Sequence, residues 1–227
     1  MKIPKLLILF GILSLALSAC APKPLKKCEV FPKMYAERPM SILVLPPINE
    51  TTAADAKEYY ATTLAEPLSL SGYYVFPIEV ISEILKIEGA YDTEALVDAD
   101  PKKFREYFGA DGVMYIRIKK WDTAYYVIGG NVTVGVHCLL KSTNSGDTLW
   151  EYDGVIVYDT TARSSGGGLG GLIAAVIITA IQTATTDYVP IAKQVNYMVL
   201  QTIPVGKYNP RCDQDRNDPV VIRKTTK

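Results

Sequence analysis

Residues 42–45, Ile-Leu-Val-Leu, form a short unbroken apolar run that Pro46 and Pro47 stop. Such a run suits a strand buried on both faces. A helical pattern follows. Thr52 and Asp55 have the spacing of a capping box, in which hydroxyl and carboxylate satisfy orphan N–H groups. Tyr60, Leu64 and Leu68 then recur every fourth residue, on one helical face. Gly72 can end that helix with no Cβ penalty. Residues 73–76, Tyr-Tyr-Val-Phe, are β-formers, and Pro77 suits the first position of a second helix carrying Ile78, Ile81 and Leu85. Residues 41–85 therefore read as strand–helix–strand–helix, and a crossover of that kind gives parallel, right-handed pairing. The unit carries no reactive group, so function must come from elsewhere.

Downstream, Asp100-Pro101 opens a short helix with Phe104 and Phe108 four apart, and Gly109 closes it. Residues 113–121 alternate as a strand. Met114, Ile116 and Ile118 face one way; Tyr115, Arg117, Lys119 and Trp121 face the other, a side expected to be wet or to touch a partner. Residues 125–141 form the next strand, bent at Gly129-Gly130, with Val132, Val134, Val136, Cys138 and Leu140 on one face. Turn residues at 144–147 lead into a strand over 148–158 with Trp150, Tyr152, Ile156 and Tyr158 on one face. The fold class is therefore α/β (α+β): a single domain with a mixed sheet of about five strands, an initial βαβ unit, an antiparallel meander and packed helices.

The amino terminus is a targeting segment. Lys2 and Lys5 precede about a dozen apolar residues, long enough for a secretion signal and short for a membrane span. Leu17-Ser18-Ala19-Cys20 matches the bacterial lipobox, with the Cys20 thiol as acceptor of the lipid (palmitate) anchor. Ala21 follows where an inner-membrane retention signal would place Asp, so the outer membrane is the expected destination, with the domain facing the periplasm. The boundaries read 1–19 signal peptide, 20–40 lipidated cysteine and tether rich in Pro and Lys, 41–204 α/β domain, and 205–227 polar C-terminal tail.

Composition removes several functions. The chain carries 24 basic and 24 acidic side chains. Loss of Lys2 and Lys5 with the signal leaves 22 against 24, net −2. No basic footprint for nucleic acid remains. Residues 166–171 formally contain G-x-G-x-x-G, but a dinucleotide site needs a strand ending at the acid downstream. Helix-like residues run straight through Asp187, so the glycines read as a hinge and no cofactor is expected. His137 is the sole histidine, on the strand side away from Val136 and Cys138, and no catalytic grouping assembles around it. No C-x-x-C pair occurs, so no metal site is expected. With Cys20 lipidated, three thiols remain. Cys138 sits on the apolar strand face, which leaves Cys28 and Cys212, in the two terminal segments, as the pair available for a disulfide.

Residues 169–181 are almost wholly apolar, yet as a helix they would span roughly 20 Å. A bilayer core needs ~30 Å. The readings are a core helix, a re-entrant segment or an oligomer contact, and Ile173, Val176, Ile177 and Ile181 are the candidate interface residues. Ile191, Val195, Met198 and Val199 mark a last amphipathic helix before Pro204.

Four stretches carry a resemblance: residues 31–39 (FPKMYAERP), 42–49 (ILVLPPIN), 72–77 (GYYVFP) and 108–111 (FGAD). Together they resemble a family of Gram-negative lipoproteins of unknown function, over roughly residues 20–205. The resemblance implies a fold similar to the amino-terminal domain of TolB and the periplasmic domain of the curli secretion channel. It implies a non-enzymatic accessory role in envelope transport, secretion or assembly. The partners it suggests are the membrane through the N-terminal lipid, other envelope lipoproteins or a secretion channel, and a homo-oligomer. The lipoprotein that forms a periplasmic ring in Pel polysaccharide export is similar more distantly, which makes a ring component of polymer export the alternative role. A periplasmic enzyme is a second alternative, and the family supplies no catalytic residues to carry over.

Overall fold

The computed structural model describes residues 25–90, 93–126, 129–159 and 188–220. Residues 1–19, Cys20, the glycine run and the apolar segment bearing Ile173, Val176, Ile177 and Ile181 lie outside them. One mixed sheet organises the domain. β1 (Ser41–Val44) is flanked by two parallel neighbours, β3 (Tyr74–Val75) and β4 (Gly112–Tyr126). β5 (Gly129–Ser142) and β6 (Thr148–Asp159) follow antiparallel, giving the order β3-β1-β4-β5-β6. A two-residue β2 (Ile48–Asn49) pairs with β4 beyond the end of β1. The parallel start and the antiparallel meander are as the sequence predicts.

Three helices cover one face: α3 (Ala56–Thr62), α4 (Ala65–Leu70) and α8 (Val189–Leu200). Tyr60, Leu64 and Leu68 meet Ile116, Val134, Cys138 and Trp150 there in the main core, all buried. The other face of the parallel half is covered by α5 (Ile78–Ile87) and α7 (Lys102–Phe108), with a short α6 (Thr93–Leu96) between them. Ile81, Leu85 and Phe104 pack there on Leu43, Leu45, Val113 and Tyr115. Farther along the meander this second face carries ion pairs: Arg117 to Glu50 at 2.8 Å, Lys119 to Asp153 at 3.0 Å and His137 to Glu151 at 2.8 Å.

Several local expectations change. The predicted single helix over 52–71 is two, α3 and α4, because Pro67 has no N–H to donate and cannot close the turn at Thr63. Thr63 Oγ1 donates instead to the Tyr59 carbonyl, and the buried Asn196 amide of α8 donates to Tyr60 O and Thr63 Oγ1. The Thr52–Asp55 box does not form. Asn49 organises that turn, donating to Ala53 O and accepting from the Thr51 amide and hydroxyl. A bulge between Ile118 and Lys120 reverses the alternation of β4, so Trp121 joins Met114, Ile116 and Ile118 in the core rather than the wet face. In α8, Ile191, Val195 and Val199 are buried, but Met198 is 39% exposed.

The largest differences lie at the ends. The segment read as a tether forms α1 (Lys27–Val30) and α2 (Pro32–Glu37), with Lys27, Phe31, Met34 and Tyr35 buried. Residues 205–220, read as polar tail, pack against them around a 3₁₀ turn (Gln214–Asn217) in which Asp215 is fully buried.

Candidate functional site: the clamp between the chain ends

The register places several elements at one end of the sheet, here the lower end. Ser41 pairs with Tyr74, Ile42 with Gly112, and Gly112 with Ser142. The β5–β6 turn and the starts of β1, β3 and β4 therefore lie together. Asp111, from the FGAD stretch, fixes this end. Its carboxylate accepts the Met40 and Ser41 amides and the Ser41 hydroxyl, while Gly109 at φ +71 closes α7 just before it. Glu37, at the end of α2, accepts from the Ser142 and Ser145 hydroxyls of the β5–β6 turn. These two carboxylates give the FGAD and FPKMYAERP stretches structural duties.

The C-terminal segment closes on the same end. The Gly206 amide donates to Ser71 O at 2.7 Å and the Tyr208 amide to Gly72 O at 3.1 Å. Gly72 sits at φ +93, and a Cβ there would overlap the Asn209 amide nitrogen, so only glycine permits this approach. The Tyr73 hydroxyl donates to Pro204 O. Farther along, Lys26 bridges Pro219 as an antiparallel pair, and the Lys27 amide donates to Asp218 O at 3.0 Å.

A buried ion pair stands at the centre. Lys27 Nζ lies 3.3 Å from Asp215 Oδ2 and donates to Ile203 O at 2.8 Å. The Val205 amide donates to the same Asp215 oxygen at 2.9 Å. Side-chain exposures of 8% and 0% mean that either charge alone would be a heavily penalised buried ion. Burial pushes the Tyr35 phenol up, and the Asp215 carboxylate beside it adds to that. Yet neither Tyr35 Oη nor Asp215 Oδ1 has an aligned hydrogen-bond partner among the described residues. Arg216 lies over the Tyr35 ring at 4.6 Å.

Beside the pair is a cleft of about 300 Å³ floored by Met34, Tyr35, Met40 and Tyr73. Arg38 and Asp213 face one another on its rim, ion-paired at 3.0 Å. Among the described residues these two are the non-glycine positions with left-handed backbone, φ 49 and φ 62. Such conformations persist where surrounding contacts over-determine them. The cleft offers an apolar floor with a paired rim, which suits packing or an amphipathic ligand better than bond-making chemistry.

Of the residues singled out in the sequence, Cys28 and Cys212 are brought to this region, on α1 and beside the 3₁₀ turn. Both are half-buried free thiols, so the expected bridge is not formed in this structure. The two segments are joined instead by Lys27–Asp215 and the Lys26–Pro219 pairing. Cys138 is elsewhere, in the core at 3.8 Å from the Tyr60 hydroxyl, its thiol pushed up to about 12 by burial. His137 bonds Glu151 on the opposite face. Among the described residues no cluster of three or more His, Cys, Asp or Glu could hold a metal ion, and no helix is long and apolar enough to cross a membrane. Lys27, Tyr35, Arg38, Asp213 and Asp215 escape sequence reasoning. A signal existed for the first three, because Phe31, Met34 and Tyr35 sit at helical spacing around Pro32. Residues 205–220 have no periodicity to read.

The sequence profile of the family described as "Putative lipoprotein GNA1162-like" matches residues 31–207. The "Putative lipoprotein NMB1124/NMB1162" of Neisseria meningitidis serogroup B is 31% identical over 186 residues, 82% of this chain and 86% of that protein. The crystal structure of lipoprotein GNA1162 from Neisseria meningitidis superposes with a TM-score of 0.51 at 31% identity, covering 64% of this chain and all of that one. The PelC dodecamer from Paraburkholderia phytofirmans is a looser likeness, with a TM-score of 0.42 and 15% identity over 74% of this chain and 90% of that one. Two independent matches thus cover most of the chain, and it belongs to the GNA1162-like lipoprotein family.

Proposed function

We propose that this protein is a lipid-anchored, non-enzymatic accessory of an envelope transport, secretion or assembly system. Cys20 holds it to the outer membrane, and its domain faces the periplasm. Family membership and the lipobox support the anchor.

The observation that carries the accessory role is the second apolar stripe of α5. Ile78, Ile81 and Leu85 are buried against the sheet. Val80, Ile84 and Ile87 form a separate i, i+4, i+7 row, 53%, 37% and 81% exposed. Just before them Tyr74 and Phe76 stack edge-to-face at 5.1 Å, with Tyr74 half exposed on the outermost strand. The row is flanked by Glu79, Glu83 and Glu88 against one cation, Lys86. An acidic rim disfavours an anionic membrane and a two-fold contact with itself. It fits a partner protein that presents an apolar segment flanked by basic residues.

A photo-crosslinking residue at Ile84 or Ile87, placed in intact cells, tests this. The reading expects one discrete heteromeric adduct that Val80→Glu abolishes. An adduct of twice the protomer mass assigns the row to a second copy, as a ring component of polymer export requires, and overturns the hetero-partner reading. No adduct at either position removes the row as a docking surface.

A further inference from the structure

We propose that the lower end of the domain, around Leu25, Leu70 and Tyr208, rests directly on the phospholipid surface in which Cys20 is anchored. This rests on the reading of Cys20 as the lipidated residue.

The first argument is reach. Leu25 is five positions after Cys20, so the fully extended chain spans at most about 18 Å. A folded chain of this length has a radius of gyration of about 17 Å. The connection at full stretch is thus about as long as the domain's own radius of gyration. It also does not end on a loose strand. The Val220 amide donates to Leu25 O at 2.8 Å, Lys26 Nζ donates to Asn217 at 2.9 Å, and Lys27 is locked to Asp215. The face that carries Leu25 and residues 217–220 must therefore stay close to the lipid.

The second argument is what that face exposes. Leu25 is 53%, Leu70 63% and Tyr208 65% exposed. They belong together: Val220 joins Leu25 to the C-terminal segment, the Asn209 side chain donates to Leu70 O, and the neighbouring Tyr208 amide donates to Gly72 O. Beside Leu70 opens a groove of about 460 Å³ with Pro67, Leu200, Ile203 and Pro219 as apolar lining and Gln201, Asn209, Arg211 and Asp218 as polar lining. Tyrosine and leucine beside a snorkelling cation are the residue types that partition into the headgroup layer.

Charge decides which force holds the contact. Arg211 is paired with Asp218, whereas Arg38 and Arg216 share Asp213 and Lys207 is exposed, so the lower end is weakly basic. Apolar and aromatic insertion should suffice without anionic lipid, and on a zwitterionic surface it should resist salt. The α5 row, with its acidic rim, has the opposite character.

The test uses mature lipidated protein reconstituted into phosphatidylethanolamine/phosphatidylcholine vesicles whose acyl chains are brominated near the glycerol end. Tryptophan is introduced singly as Leu70→Trp, Tyr208→Trp or, as reference, Val157→Trp. Val157 is exposed nine residues up β6 from the lower turn, about 30 Å away. Trp121 and Trp150 emission is subtracted using the protein without an added tryptophan. The proposal expects at least twofold quenching at 70 and 208, unchanged by 0.5 M salt, and none at 157. Leu25→Glu should reduce the quenching at 208 while the protein still floats with vesicles. Flotation with no quenching at 70 and 208 overturns the proposal and leaves the anchor standing. Shielding of 208 from aqueous acrylamide without bromine quenching assigns the face to a second copy and also overturns it. Failure to float overturns both this proposal and the lipidation on which it rests.

Discussion

Met114, Leu140 and Trp150 are buried side by side because every second residue of three neighbouring strands faces one core. Lys27 and Asp215 meet because the fold returns two residues 188 positions apart to the same spot. In the meander each buried side chain contributes about 1.5–3 kcal/mol of transfer free energy and tolerates local repacking. In the clamp the attraction of two charges is largely offset by their desolvation, so the pair adds little net stability while the loss of one member is severe. The difference teaches where this protein is robust. The meander is redundant, whereas the clamp depends on single partners.

The broadest challenge to that distinction is alkaline pH. Burial pushes the Cys138 thiol and the Tyr115 phenol up to about 12, and it raises Tyr60 and Tyr73 as well. Each folded value lies above its unfolded one, so the stability they contribute is fully present below about pH 9 for the thiol and 10 for the phenols. It is lost as pH rises through the folded values. Urea midpoints should therefore be level at pH 7–8.5 and fall steeply from pH 9.5 upward. Cys138→Ala in the meander and Tyr73→Phe in the clamp should both flatten the fall if the two regions unfold as one. A flattening by only one of them would show two separate transitions.

Next in size is the ion pair. Asp215→Ala leaves the Lys27 ammonium buried without its partner and should cost about 3–5 kcal/mol. The double replacement Lys27→Met/Asp215→Leu removes both charges and should recover most of that loss in thermal denaturation. A single variant that melts like the parent would place the pair in water and end the contrast with the meander.

Gly72→Ala tests the close approach itself. It combines a left-handed backbone with a Cβ overlapping the Asn209 amide, and we expect a loss of about 1–3 kcal/mol. Gly146→Ala is the control in the β5–β6 turn. Its φ of +80 is equally unfavourable, but the space around it is open, so the cost should be smaller. Equal losses at the two positions would mean that backbone strain alone matters and that the 206–209 segment does not press on Gly72.

The smallest effect belongs to the wet face of the meander. His137 and Glu151 pair at 2.8 Å with the carboxylate 55% exposed, so Glu151→Gln should change stability by at most about 1 kcal/mol. A larger loss would show that this face is covered in solution.

The meander was legible in the sequence because strand alternation is local: Val132 to Leu140 announce their face by spacing alone. The exception, Trp121, was misplaced by a bulge that leaves no compositional mark. The Ser41–Val44 strand and its crossover were legible through prolines and glycines. The spacing predicts one continuous helix there because Pro67 lies inside an otherwise regular pattern. The clamp was illegible for the opposite reason. Asp215 is one acid in an aperiodic polar stretch, and nothing near it in sequence shows that Lys27 will neutralise it. Cys28 and Cys212 mark the two segments that meet, although both are free thiols in this structure. The match to the family profile spans residues 31–207 and so includes neither Lys27 nor Asp215.

Native-state hydrogen exchange on the mature domain tests most directly whether the two chain ends are part of the fold. The Gly206, Tyr208 and Val205 amides donate to Ser71 O, Gly72 O and Asp215, and Lys27 N–H donates to Asp218 O. We predict that these four exchange with the same opening free energy as core amides such as that of Val134, and that Asp215→Ala lowers their protection before it lowers that of the meander. Exchange of all four at the rate of an unstructured chain, beside a protected meander, would contradict the account and return residues 205–220 to a loose tail.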